Sequence, residues 1–218
     1  MAEVFDTENL NSGQSKIERK APTLGPQEAR IIRVIDLGDR RPSPQFPDSP
    51  VRRKLLVILE LIDDKVEIKG VAHPMISFHE VAVAKKKPSG EHSRFTALLD
   101  AAGVKGKFTL ESLLGKPVLV THGLSKTGRV EVTMVSGVSK RAVETMPQAT
   151  LDMYTIELSG SKDEAVEKLS DAMRKKISEA INFPNSALEK QLQRLPFKRN
   201  EKTETLTTAP TVTVEAPF

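Results

Sequence analysis

Between Glu28 and Ser139 the chain returns again and again to strand-length runs of β-branched and aliphatic residues, each cut off by Gly, Pro or paired Asp. This punctuation restricts the fold more than any other feature of the sequence. EARIIRVIDLG (28–38) reads as a strand that stops at Gly38. DRRPSPQFPDSPVRR (39–53) holds four Pro, which excludes a helix or a central strand and leaves a long loop. KLLVILELID (54–63) is a second run, Asp63-Asp64 reads as a turn, and the chain from Val66 to Val83 alternates through Ile76, Phe78 and Val81. After KKKPSG, Phe95, Leu98 and Leu99 fall at helical spacing before Gly103, and TLESLLG (109–115) reads as a short helix capped by Thr109. PVLVTHGL (117–124) and GRVEVTMVSGVS (128–139) are two further strands joined by the hairpin signal SKTG.

Strand, long loop, strand, strand, helix, strand, strand is the order of a mainly β, five-stranded OB-fold-like barrel with an inserted helix, here followed by a C-terminal helical region. The expected divisions are a flexible arm at 1–24, the OB-fold-like domain at 25–158 with one more strand within 149–158, a helical region at 159–196 and a disordered tail at 197–218. Within the helical region the spacing predicts one helix over 163–181. Its stripe of Val166, Leu169, Met173, Ile177 and Ile181 packs on the barrel or, alternatively, on a second copy.

Charge is unevenly placed. Residues 28–141 carry twenty Lys/Arg against thirteen Asp/Glu, whereas 142–200 carry nine against nine and 201–218 one against three. A basic middle between neutral or acidic flanks suits contact with a polyanion, and a solvated surface is the plainer reading. Guanidinium and ammonium groups neutralise phosphates, and flat rings accept bases whatever their sequence. The candidates for single-stranded nucleic acid are therefore Arg40, Arg41, Phe46, Arg52 and Arg53 on or beside the first long loop, Phe78 in mid-strand, Lys85, Lys86 and Lys87 after the third strand, and Lys126 and Arg129 at the last hairpin. Phe95 and Phe108 are read as packing residues.

Other chemistries find little material. The chain has no Cys and four His, which removes disulfides and thiolate sites. His73 and His79 lie six apart in a strand region and offer at most a weak metal pair, and Asp63-Asp64 reads better as a turn than as a divalent-ion site. GxxxxGK[ST], GxGxxG and GxSxG are absent from the sequence, so no enzyme activity and no cofactor is expected. No run of about eighteen apolar residues occurs, and the acidic, polar start is unlike a signal peptide, so a soluble, unexported protein without membrane partners is expected.

EARIIRVIDLGDR, RRKLLVILELID, SFHEVAVA and SRFTALLDAAGVKGKFTLESLLGKPVLVTHGLSKTGRVEVTMVSGVSK, in this order and spacing over roughly residues 25–140, resemble the single-stranded DNA-binding proteins of tailed bacteriophages with an OB-fold core. The resemblance implies coating of exposed strands during phage DNA replication or recombination in the cytoplasm of the infected bacterium. A Pro-rich first loop and the helical region at 160–195 depart from that pattern. The ending Glu215-Ala216-Pro217-Phe218 resembles the tip of bacterial single-stranded DNA-binding proteins, which implies Pro217 and Phe218 as the contact for replication and recombination proteins of phage or host, with a chance Pro-Phe ending as the alternative. The second functional reading is a β-barrel scaffold or adaptor in a phage replication or virion assembly.

Overall fold

The computed structural model describes residues 21–42, 44, 47–68, 70–84 and 93–195. Five antiparallel strands, β1 (Gly25–Arg40), β2 (Arg52–Ile68), β3 (Val71–Ala82), β4 (Pro117–Leu124) and β5 (Val130–Ser136), lie in the order β3-β2-β1-β4-β5. They curl into a half-barrel, and the protein is mainly β with an OB-like arrangement. β1 is shared between two partners. Its start pairs with β4 from Gly25↔His122 to Arg30↔Pro117, and its remainder pairs with β2 from Ala29↔Leu61 to Arg40↔Arg52. A short sixth strand, β6 (Tyr154–Ile156), runs parallel to β1 from Arg33↔Tyr154 to Ile35↔Ile156 and takes the edge of β1 that β4 leaves free.

β1 and β2 read as continuous apolar runs because both of their faces are covered. On the inner face Ala29, Ile31 and Val34 of β1 and Leu55, Val57, Leu59 and Leu61 of β2 fill the half-barrel with Val118, Val120, Val132 and Val135. Helix α1 (Arg94–Ala101) adds Phe95 and Leu98 to this core and packs against both β3 and β5, the two ends of the strand order. Its N-cap Ser93 accepts a bond from the Thr96 amide. Phe95 and Phe108 meet with ring centroids 5.4 Å apart inside the same core. On the outer face Ile32, Ile35, Leu37, Leu56 and Ile58 meet Ile156, Leu158, Val166, Leu169, Ile177 and Leu188 from the C-terminal layer. That layer consists of β6, α3 (Asp163–Glu167), α4 (Asp171–Ser178) and α5 (Ala187–Arg194).

Three sequence expectations change. The helix expected over 163–181 is two helices: α3 closes as the Leu169 amide bonds back to Val166, and the Ser170 side chain then caps α4 by accepting from the Met173 amide. The break lets Val166, Leu169 and Ile177 all be buried while Ile181 falls off the seam, 46% exposed. Asp63-Asp64 is not the turn, because β2 runs on past a register shift to Ile68 and the reversal comes at Gly70 (φ +77°). The Asp64 carboxylate instead accepts from the Thr23 backbone amide (2.7 Å), the Thr23 hydroxyl (2.8 Å) and the Gln27 side-chain Nε2 (3.1 Å), tying the start of β1 to β2. Residues 110–113 form a single 3-10 turn without a side-chain cap from Thr109. No helix among the described residues is long and apolar enough to cross a membrane.

Candidate nucleic-acid interface

Strand alternation decides which side chains of β3 face outward. Met75, Ser77, His79 and Val81 point into the half-barrel and are buried, and Ile76, Phe78 and Glu80 stand on the outer face. Phe78 pairs with Ile58 of β2 at the border of the C-terminal layer, and its ring is 52% exposed. Two residues on, Glu80 accepts from Lys54 Nζ (2.7 Å) and Lys176 Nζ (2.8 Å). Burial alone would lift the Glu80 carboxyl, but the bonds from Lys176 and Lys54 outweigh it and hold the group below its ordinary range. The two lysines are thereby matched by a protein carboxylate.

The first loop behaves similarly. Arg53 bonds Asp36, a carboxylate with no exposed surface, through Nε at 3.1 Å and through Nη2. Arg40 donates to Glu179 (3.1 Å), to the Leu37 carbonyl (3.0 Å) and to the Lys176 carbonyl. Arg41 is exposed and Arg52 half-buried, both without a partner among the described residues. Phe46, Lys85, Lys86, Lys87, Pro217 and Phe218 lie outside the described residues.

Register separates the remaining pair from this group. Arg40 and Arg52 face each other where β1 meets β2, whereas the hairpin carrying the exposed Lys126 and Arg129 follows the end of β4, beside Gly25. The Thr23–Asp64 bonds put that end of the barrel next to Asp64, up to roughly 40 Å from Arg52 along β2 at about 3.3 Å per residue. The structure therefore brings Arg40, Arg41, Arg52 and Arg53 together and sets Lys126 and Arg129 at the other end.

Charge counted by element shows what a count over the whole middle conceals. Residues 21–84 carry nine Lys/Arg against nine Asp/Glu, 94–148 eight against four, and 149–195 seven against eight. Within the described residues the basic excess belongs to α1, β4, β5 and helix α2 (Lys140–Thr145) with their connections. There Lys105, Lys107, Lys116, Lys140 and Arg141 are exposed and have no partner among the described residues. A tally by element would have found them in the sequence.

Where β3, α1 and β5 converge, a cavity of about 140 Å³ is lined by His79, Ser93, Arg94, Ala97, Thr133 and Met134. Burial and then the nearby Arg94 charge lower the His79 pKa to about 4, so this imidazole is neutral near neutral pH. Among the described residues no group of three or more His, Asp or Glu stands close enough to hold a metal ion. Set against known proteins, the chain matches no family model and no curated protein.

Proposed function

We propose that the protein is a non-enzymatic, largely sequence-independent single-stranded DNA-binding protein of the kind tailed bacteriophages encode. It would coat exposed strands during replication or recombination in the cytoplasm of the infected bacterium. The observation that carries this reading is Phe78, a large aromatic ring left exposed on the outer face of β3. The face of the second and third strands is the one OB-folds offer to oligonucleotides. An exposed ring there is a stacking platform, and the basic excess of residues 94–148 supplies attraction for phosphates. The order of the barrel strands and the sequence resemblance over roughly residues 25–140 support the same reading.

Fluorescence anisotropy with a labelled strand of a few tens of nucleotides tests it. Binding is expected to be tight at low ionic strength, to weaken steeply with salt, and to exceed binding of the matching duplex. Phe78→Ala is expected to weaken binding by about tenfold or more, given roughly 1–3 kcal/mol per stacked base. Absence of salt-sensitive binding, or equal binding of duplex, overturns the reading. A second reading, a β-barrel adaptor in a phage assembly, draws on Leu24, Val71 and Leu124, exposed apolar side chains that register places toward one end of the barrel. Capture of phage or host replication proteins by a variant that no longer binds DNA would favour it.

A further inference from the structure

The five unmatched cations come from three separate stretches of sequence, yet the fold gathers them at one end. After α1 the chain turns back on the helix, with the Gly103 amide bonded to Asp100 and the Val104 amide to Leu99, so Lys105 and Lys107 stay near the helix C-terminus. The same terminus receives the start of α2: Gly137 lies so close to Ala101 that a Cβ on it would be 3.7 Å from the Ala101 carbonyl oxygen. Lys140 and Arg141 follow three and four residues later. The far end of α2 is pinned by Arg30, which is 5% exposed and donates to the carbonyls of Met146 (2.9 Å), Pro147 (2.5 Å) and Gly115 (2.8 Å). Lys116 is the residue after Gly115. The carboxylates on these elements are Asp100, Glu111 and Glu144, three against five.

We infer that this end of the barrel, built from Lys105, Lys107, Lys116, Lys140 and Arg141, is the principal phosphate-contacting surface for a single-stranded nucleic acid. The inference rests on the function proposed above and relocates its electrostatic footprint away from the first loop. Arg40 and Arg53, and Lys54 beside them, already neutralise Glu179, Asp36 and Glu80, so a phosphate would have to compete with a protein carboxylate at each. The C-terminal layer, with its slight acidic excess, covers the outer face of β1 and β2 and offers no net attraction. On the inner side of β3, where His79 meets Arg94, α1 leads from Arg94 toward the patch along a helix of about 12 Å. Ammonium groups on long stems contact phosphates without reading bases, which suits binding that ignores sequence.

The test compares three charge-matched variants of the full chain, titrated with the same fluorescein-labelled single strand over a range of salt. Lys105→Gln/Lys107→Gln/Lys140→Gln removes patch charge, Arg41→Gln/Arg52→Gln/Lys126→Gln removes charge from the first loop and from the β4–β5 hairpin at the other end, and Lys162→Gln/Lys175→Gln/Lys190→Gln removes charge from the C-terminal layer. The patch variant is expected to bind at least tenfold more weakly at low salt, with the log–log salt slope smaller by about 2, at roughly 0.7 for each phosphate that is no longer neutralised. The layer variant is expected to bind like the parent, and the loop variant to be weakened less than the patch variant. If the patch variant binds like the parent, or the loop or layer variant is weakened as much, the footprint is elsewhere and this inference falls while the proposed function stands. If the parent itself shows no salt-sensitive binding, the proposed function falls and takes the inference with it.

Discussion

Glu60 sits on the outer face of β2, 3% exposed, between aliphatic neighbours, where an unpaired carboxylate would be very costly. It is tolerated because both oxygens are occupied: the Thr150 amide (2.9 and 3.1 Å), the Thr150 hydroxyl (2.8 Å) and the Leu151 amide (2.9 Å) all donate to it. One side chain thus fixes where the chain enters the C-terminal layer. Glu60→Gln turns one acceptor into a donor facing backbone N–H groups, and is expected to lower stability by about 2 kcal/mol in urea unfolding. His79 gives a pH-dependent counterpart. Its folded pKa, about 4, lies below the ordinary histidine value of 6.5, so between those values the unfolded chain binds a proton that the folded chain refuses. Stability is therefore full above pH 6.5 and declines as the pH falls toward 4, by about 3 kcal/mol for this group alone. Burial also lowers the His122 pKa, against the opposing pull of Asp64, and adds to the decline in the same direction. Unfolding midpoints of the parent and of His79→Gln across this window are expected to converge as the pH drops; parallel curves would show that His79 is protonated as easily in the fold as outside it.

At the scale of elements, the join between the β1 tip and the C-terminal layer depends on Gly38. Its φ of +69° is in the left-handed region, and a Cβ there would lie 2.5 Å from Ala180 Cβ, 2.6 Å from Asn182 Oδ1 and 2.8 Å from Leu158 Cδ1. Gly38→Ala is expected to cost about 3 kcal/mol or more by thermal or urea unfolding, through both strain and overpacking. Gly128→Ala, at φ +77° with nothing within 4 Å, isolates the backbone component and is expected to cost only about 1 kcal/mol. These elements also show what local sequence carries. The strands were legible because aliphatic runs ending at Gly or Pro leave few alternatives. The break at Ser170 was not, since the 3.6-residue stripe continues across it and a serine there reads equally well as an exposed helical position; the fold uses it as the cap of α4, accepting from the Met173 amide. The candidate site divides in the same way. Phe78 could be named as a mid-strand ring, but its exposure could not be read from an alternation that runs through Ile76, Phe78 and Val81, since Val81 faces the opposite side. Arg40 and Arg53 looked like free loop cations because their partners Glu179 and Asp36 are 139 and 17 residues away and come into range only on folding.

For the whole molecule, the half-barrel and the C-terminal layer form two cores that share β1 and β2 as their common wall. A barrel meant to stand alone would place polar residues at Ile32, Ile35, Leu37, Leu56 and Ile58. Here all five are apolar and at most 4% exposed, because Ile156, Leu158, Val166, Leu169 and Ile177 lie over them. Each such side chain contributes about 1.5–3 kcal/mol when buried, so uncovering five costs on the order of 10 kcal/mol, comparable to the entire stability of a typical domain, about 5–15 kcal/mol. The same truncation removes Thr150 and Leu151 and leaves the Glu60 carboxylate without its donors. A chain ending at residue 148 is therefore expected not to accumulate as a soluble, cooperatively folding barrel, even though every strand of the half-barrel is retained. The check is soluble yield together with near-UV circular dichroism and binding of a hydrophobic dye. A soluble truncated chain with a cooperative transition near that of the parent would show that the layer is an accessory to a self-sufficient barrel, and the two-core account would have to be abandoned.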